Sequence, residues 1–452
     1  MIQSTRLHFL NQREISRGSY VIYWMQQAQR IHYNHALHYA VNESNRLKLP
    51  LFIVFVLTPD FPDANARHYH FMLEGLKELS DSLKKKHLPF FILPGDPVEI
   101  LAMLAGKASL LITDRGYLKI QREWRKRIAE QVNCLMVEVE TDAIVPVEQV
   151  SDHEEYAART IRPKILRLLK DYLVSAEIPV YENPTHDWSH LIRGSISITD
   201  QKYLPQLSVL EYPGAVTTIH GGSTQAEEKL HTFIEERLQD YPNKRNEPSL
   251  NITSGLSPYL HFGQIATHHV ALEILESDVS AEIKWSFLEE LIIRRELSLN
   301  FCWFNDQYDS FECLPVWAKK TLLGHAMDKR EITYSYEQLE NADTDDPYWN
   351  AAQKEVMITG QMHNYMRMYW GKKILSWIPD PVSAFEFALY LNNKYAIDGR
   401  DPNSFAGIAW CFGKHDRPWN SYPVFGNVRI MTSSGLKRKF HMEGYLDKIN
   451  LL

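Results

Sequence analysis

The first 140 residues repeat one pattern, a short apolar run followed by a longer amphipathic stretch, and this constrains the fold more than any other feature. Tyr20–Trp24, Leu51–Leu57, Phe90–Pro94, Leu110–Thr113 and Leu135–Val139 read as buried strands. The stretches near 31–46, 68–86, 97–106 and 118–131 carry helical spacing. Right-handed crossovers between such units predict an α/β region with a doubly wound parallel sheet, whose ligand crevice lies beyond the carboxyl ends of its strands. No G-x-G-x-x-G follows the first run and no G-x-x-x-x-G-K-[ST] occurs, so an ordinary dinucleotide site or P-loop lacks support. His32, His35 and His38 fall at i, i+3, i+6, spacing that suits a metal or, more simply, a surface or half-buried helix face.

Between about 180 and 225 the periodicity fades, and Pro184, Pro205, Pro213, Gly214, Gly221 and Gly222 punctuate polar sequence. Beyond it, 225–239, 258–276, 283–304, 350–377 and 382–395 all carry apolar helical spacing, so the second half is expected to be all-helical. The 452 residues therefore divide into an α/β domain (1–175), a linker (176–225) and a helical domain (226–452). A 44% hydrophobic and 23% charged composition supplies folded cores and gives no sign of general disorder. Four scattered cysteines without a C-x-x-C pair disfavour a structural zinc or a disulfide scaffold. The most apolar run, Leu49 to Leu57, is far short of a membrane span, and Met1 to Gly18 lacks a signal-peptide core, so a soluble cytoplasmic protein is expected, nucleoid-associated if prokaryotic.

The net charge of −7 does not announce a nucleic-acid binder, but between Lys414 and Phe440 six basic residues (Lys414, Arg417, Arg429, Lys437, Arg438, Lys439) face Asp416 alone. Such a segment suits phosphates or a solvated basic face. Of eleven tryptophans, eight lie between 285 and 419. Thr253-Ser-Gly-Leu-Ser-Pro258 precedes a helical run, placing Ser257 at an N-cap and Pro258 at N1; the hydroxyls of Thr253, Ser254 and Ser257 suit a phosphate, or a plain cap. Trp370 and Trp377 stand two turns apart on one helix face, with Trp349 upstream, in a core or as steps for an electron. Arg367 is the only charge in its apolar surroundings and needs Asp398 or Asp401 as a partner. Glu290, in Phe287-Leu-Glu-Glu-Leu-Ile-Ile293, is either a desolvated proton or hydrogen-bond donor with a raised pKa, or half of an exposed i, i+4 pair with Arg294.

These pieces, in this order, resemble the photolyase/cryptochrome flavoproteins, specifically the class II cyclobutane pyrimidine dimer (CPD) photolyases. The resemblance rests on Tyr20-Val-Ile-Tyr-Trp-Met25, Glu155-Tyr-Ala-Ala-Arg-Thr-Ile-Arg-Pro-Lys164, Leu256-Ser-Pro-Tyr-Leu-His-Phe-Gly-Gln264, Phe287 to Glu296, Met362-His-Asn-Tyr-Met-Arg-Met-Tyr-Trp370, Asp398-Gly-Arg-Asp-Pro-Asn403 and Gly413-Lys-His-Asp-Arg-Pro-Trp419. It implies an antenna domain, a helical domain holding FAD, and light-driven electron transfer to a dimer flipped out of UV-damaged DNA. Thr253, Ser254, Gly255, Leu256 and Ser257 then resemble the flavin diphosphate cradle, joined by Tyr241, and Arg367 with Asp398 the salt bridge beside the isoalloxazine. Asn392 is similar to the asparagine near flavin N5, with Asn403 a rival for that place. Glu290 resembles the acid that hydrogen-bonds the dimer, and Trp410 an aromatic wall of its pocket. Trp377, Trp370 and Trp349 resemble the photoreduction chain, with Trp370 expected in its middle. Arg245, Arg417, Trp419 and Arg429 match positions that hold DNA.

One departure is Arg294, where other members carry a second pocket tryptophan; an arginine there can stack on a base and pair with Glu290 or a phosphate. The antenna crevice, placed near Gln29, His32 and Asn34, can accept 8-hydroxy-5-deazaflavin or a folate, or remain empty. A monomer that acts without a membrane or a metal is expected. The alternatives are a cryptochrome-like photosensor without repair and a dark flavin oxidoreductase; the first has no need of Glu290, Trp410 and the Arg417/Trp419 pair, and the second needs a nicotinamide site that the sequence does not show.

Overall fold

The computed structural model describes residues 2–183, 194–196 and 213–452, so Pro184 and Pro205 of the expected linker lie outside the described residues. Strands β1 (Leu7–Phe9), β2 (Tyr20–Trp24), β3 (Leu51–Leu57), β4 (Phe90–Pro94), β5 (Ala108–Asp114) and β6 (Leu135–Val139) form one sheet in the order β1-β6-β5-β2-β3-β4. All pairings are parallel except β1 on β6, a three-residue edge strand too short to show periodicity in sequence. Helices α1 (His35–Leu47), α2 (Ala66–Lys85), α3 (Pro97–Ala105) and α4 (Lys119–Gln131) form the crossovers. Alternate residues of β2 serve the two faces: Val21 and Tyr23 pack with residues of α1 and α2, Ile22 and Trp24 with residues of α3 and α4. The strand order reverses between β2 and β5, and Asp114 at the end of β5 fixes that switch point. Its carboxylate accepts from the backbone N–H of Gln26 (2.8 Å), Gln27 (2.5 Å) and Ala28 (2.7 Å) in the loop after β2.

Helices α5 (Val147–Val150) and α6 (Ala158–Tyr172) leave the sheet. The helical part comprises α7 (Ser223–Glu236), α8 (Tyr241–Lys244), α9 (Ser257–His261), α10 (Thr267–Glu276), α11 (Ala281–Leu288), α12 (Arg295–Phe304), α13 (Val316–Gly324), α14 (Tyr336–Glu340), α15 (Pro347–Thr359), α16 (Asn364–Trp377), α17 (Pro381–Tyr395), α18 (Pro402–Cys411), α19 (Ser433–Lys439) and α20 (Met442–Asn450). Asp-Pro pairs start α15, α17 and α18: the carboxylates of Asp346, Asp380 and Asp401 accept from the first-turn amides, and the following proline has its φ already set. Two expected single segments are each two helices. The 258–276 segment breaks around Gly263 (φ 65°), and 350–377 breaks at Gly360 (φ 68°), which ends α15. The 283–304 segment is continuous but contains a π-helical turn, Glu289–Arg294, between α11 and α12.

One buried apolar cluster runs from Val21, Ile53 and Leu110 of the sheet into Val270, Ile274 and Phe287 of the helical part, so the two share a core. A second cluster joins residues of α12 to α20. Polar ties cross the same seam. Arg295 on α12 bridges Asp142, just beyond β6, at 2.8 Å and Asp401 at 3.3 Å. His32 lies outside α1, which begins at His35, so the expected three-histidine helix face does not form. His35 is buried against the ring of His268 at 4.8 Å, and no metal-binding cluster occurs among the described residues. Among them, too, no helix is long and apolar enough to cross a membrane.

Gly263 sets how closely the loop between α9 and α10 approaches the loop after β2: a Cβ there would lie 2.0 Å from the Gln27 carbonyl oxygen. Gly263→Ala is expected to cost about 3 kcal/mol, from a positive φ and a backbone clash. Gly324→Ala, which meets nothing within 4 Å, should leave the thermal midpoint nearly unchanged. Thermal unfolding of the two variants checks the contrast.

Candidate functional site

The helical part gathers the residues singled out above in three groups. In the first, Arg367 on α16 donates to Asp398 at 3.1 Å, while Asp401 is taken by Arg295 and His261, which decides between the two candidate partners. Burial alone would raise the Asp401 carboxyl; Arg295 and His261 outweigh it and hold the group at about 2. Arg367 Nε is buried with no acceptor among the described residues. Asn392 is buried and donates to Ser404 (2.7 Å) and Asn393 (3.3 Å), which leaves its carbonyl oxygen as the uncommitted pole. Asn403 is exposed on the first turn of α18, its backbone N–H given to the Asp401 cap.

The Thr253–Ser257 segment precedes α9, but Ser257 is not its cap: it is the first helical residue, with Pro258 second, and no side chain caps the helix. Thr253 and Ser257 are exposed, and Ser254 Oγ accepts from the Leu256 N–H at 3.4 Å. Gly255 takes φ 68°, and the nearest atom to a Cβ there would be Lys229 Cδ at 4.0 Å. Lys229, on α7, was not foreseen from sequence, and half-burial lowers its pKa. Arg237 donates to Thr253 O at 3.4 Å. Two cations therefore flank an open, hydroxyl-bearing backbone turn, the donor set an anion requires.

The second group corrects the expected place of Glu290. Its side chain is 35% exposed rather than desolvated, and its partner is Arg245 at 2.8 Å, not Arg294. The π turn explains this: its wider pitch brings residues five apart together, so Arg294 faces Glu289 (3.6 Å), which Arg162 also grips (2.6 Å). Arg245 lies 5.5 Å over the buried Tyr241 ring, so Tyr241, Arg245 and Glu290 form one patch.

The third group is aromatic. Trp349 from α15 stacks almost parallel on Trp370 (6.3 Å, 4°) and meets Trp377 edge-on at 5.3 Å. The middle place expected for Trp370 therefore belongs to Trp349, because two turns of α16 separate Trp370 from Trp377 and α15 inserts its indole into that gap. The Trp349 N–H donates to Trp370 O (3.0 Å), and the Trp370 N–H to Gln353 Oε1 (2.9 Å), so both rings are fixed.

At the surface, aromatic rings and cations alternate. Arg417 (4.9 Å) and Arg429 (4.9 Å) lie over Trp419, and Arg429 reaches Trp410 at 5.9 Å. Lys414, counted in the basic segment, is not available to phosphates: it is buried against Glu154, the Cys313 carbonyl and the Phe301 ring. Lys437 covers Tyr348 at 5.4 Å.

At the switch point of the sheet lies a partly open cavity, lined among others by Trp24, Gln29, Phe55, Trp124, His68 and Arg400. Gln29 is there as expected. His32 and Asn34 are not; His32 is exposed, and Asn34 caps α1 and bonds Tyr23, Ala28 and Arg30. Arg400, missed in sequence, is buried with Nε and one terminal nitrogen without an acceptor among the described residues, and burial pushes its guanidinium down to about 10.

The profile of the DNA photolyase family matches residues 21–184. The chain is 46% identical over 450 residues to a deoxyribodipyrimidine photo-lyase of Methanothermobacter thermautotrophicus, covering 99% of each. To the protein of that name in Arabidopsis thaliana it is 41% identical over 443 residues, covering 96% of this chain and 89% of the other. The structure of an archaeal photolyase from Sulfolobus tokodaii, described with two FAD molecules and as implying a novel light-harvesting cofactor, aligns at a TM-score of 0.71. It spans 95% of this chain and 89% of its own at 16% identity, a likeness of fold.

Proposed function

Because the chain belongs to the DNA photolyase family, we propose that it is a class II photolyase that splits cyclobutane pyrimidine dimers in UV-damaged DNA by light. Residues 1–175 are assigned as the antenna domain and 226–452 as the FAD- and DNA-binding domain, with 176–225 between them. FAD, when bound and reduced, supplies the photoexcited electron. The carrying observation is that the Trp377–Trp349–Trp370 row ends one helical turn from the Arg367–Asp398 pair, since Arg367 and Trp370 are i, i+3 on α16. A fixed row of oxidisable rings leading to an arginine whose Nε finds no acceptor among the described residues suits a redox cofactor beside that arginine.

The residues divide the work. Thr253, Ser254, Gly255, Leu256 and Ser257, with Tyr241, Lys229 and Arg237, would hold the cofactor diphosphate through hydroxyls, open backbone and positive charge. Arg367 and Asp398 would orient the ring system, and Asn392, with its amide spent on Ser404, presents a fixed carbonyl oxygen; Asn403 is too exposed to serve that role as well. Glu290, freed from Arg245 when DNA takes that arginine, would bond the dimer bases. Trp410 stacks on the dimer, with Arg294 at the rim, while Arg245, Arg417, Trp419 and Arg429 hold the strand. A photosensor needs the tryptophan row but not this cation–aromatic face, which favours repair. For the antenna, Arg400, with two guanidinium nitrogens lacking an acceptor among the described residues and lining the same cavity as Trp24 and Trp124, supports a planar aromatic anion, which a deazaflavin, a folate or a second flavin all satisfy.

Glu290→Ala is expected to keep FAD while the thymines recovered per absorbed photon fall about ten-fold or more, the loss of a charge-assisted hydrogen bond; an unchanged yield removes its role. Trp349→Phe should stop stable photoreduction of oxidised flavin as fully as Trp370→Phe does. Normal photoreduction in Trp349→Phe, followed by its absorbance under blue light, would place the path elsewhere.

A further inference from the structure

Lys372, on α16 two residues beyond Trp370, has 0% of its surface exposed, and among the described residues no group accepts from its Nζ. What it faces is the Trp410 ring, at 5.1 Å. The charged and titratable groups around it are Cys411, Asp416 and Arg429; Asp416 is spent on the Trp419 indole N–H (3.2 Å) and the Arg417 backbone N–H (2.8 Å), and burial pushes the Cys411 thiol up to about 11. Its neighbour Lys373 shows the ordinary arrangement, ion-paired with Asp346 at 3.1 Å. An ammonium without an acceptor is costly to bury, and replacing such a group by an apolar one of similar volume is commonly neutral or stabilising. Lys372 is thus maintained against its own cost, at the foot of the row formed by Trp410, Arg429, Trp419 and Arg417.

We propose that Lys372 is a positioning residue of the damage pocket: from the interior side of Trp410 it orients that indole for stacking with an extruded pyrimidine dimer and lends positive charge to the dimer while its ring opens. The inference rests on Trp410 being a wall of that pocket. A cation near an indole restrains the ring and draws on its π electrons, which also makes Trp410 harder to oxidise in place of the intended donors. The dimer gains one electron, breaks two carbon–carbon bonds and gives the electron back, so no atom or proton is lost. During that interval it bears a negative charge, which a buried cation close by stabilises more than one in water would. Burial lowers the ammonium to about 8, so its charge is present at neutral pH and lost within an accessible range.

The test uses the full-length, FAD-loaded protein, Lys372→Met and Lys372→Arg, measuring dark affinity for a dimer-containing against an undamaged oligonucleotide, and repair yield, from pH 6.5 to 9.5. The wild-type preference for the dimer should fall about three- to thirty-fold as pH passes 8, the range of a cation–π contact converted to affinity. Lys372→Met should sit at the lower level with no pH dependence and an unreduced melting temperature, and Lys372→Arg should restore the preference and hold it to high pH. Glu296, held up at about 8 by burial, titrates in the same window, so the flat Lys372→Met profile is what assigns the effect. A pH-independent wild type, or a Lys372→Met variant with wild-type preference and profile, overturns the proposal. Protein that prefers the dimer in the dark yet restores no thymines in light contradicts the repair reading instead, and leaves the dark comparison standing.

Discussion

Arg295 lies buried between two carboxylates from distant stretches of chain, Asp142 beyond β6 and Asp401 at the start of α18. Its three elements are those on which the candidate site stands. Arg295 opens α12 directly after the π turn that carries Glu290 and Arg294. Asp401 caps the helix that carries Asn403 and Trp410, and it follows the Asp398–Arg400 turn. Asp142 lies just beyond β6, the neighbour of β5, whose Asp114 holds the loop after β2. Removing one partner from such a buried set would leave an uncompensated charge, so the arrangement is held as a unit. The low carboxyl of Asp401 shows how firmly the charged form is favoured there despite burial.

From this clamp the site divides into a dry side and a wet side. Toward the interior, Trp370, Trp349 and Trp377 pack together, and the Trp349 and Trp370 indoles are fixed by hydrogen bonds to a backbone carbonyl and to Gln353. Toward solvent, Glu290 with Arg245 and the Trp410–Arg429–Trp419–Arg417 row offer charge and flat apolar surface together, the combination that single-stranded or extruded bases require. Lys372 sits at the junction, buried on α16 with its ammonium against the Trp410 ring. The sheet's own cavity is separate in sequence yet bordered by Arg400 and Pro402 from the helical part, so both parts contribute to it.

The parallel sheet was legible because its inner strands are buried on both faces and so appear as unbroken apolar runs; β1, with three residues and a half-exposed pattern, gave no such signal. The helix breaks were marked by Gly263 and Gly360, but helical spacing on either side concealed them. Site geometry was less legible for reasons of register. The π turn moved Glu290 away from Arg294, and the neighbour of two tryptophans on one helix came from another helix, which spacing within α16 cannot reveal. The basic count in Lys414 to Phe440 overstated the exposed positive charge because Lys414 is buried in internal contacts. Arg400 and Lys372 were invisible in sequence, since what singles them out is burial and side-chain nitrogens without an acceptor among the described residues, and Lys229 because only the fold brings it beside the Gly255 turn.

The most direct measurement is the recovery of intact thymines from a dimer-containing oligonucleotide by the purified, reduced, full-length protein, in blue light and in darkness. The account predicts recovery that depends on light and returns the protein ready for further turnovers. Bound FAD with no recovery in light would contradict it and leave the tryptophan row serving a sensor.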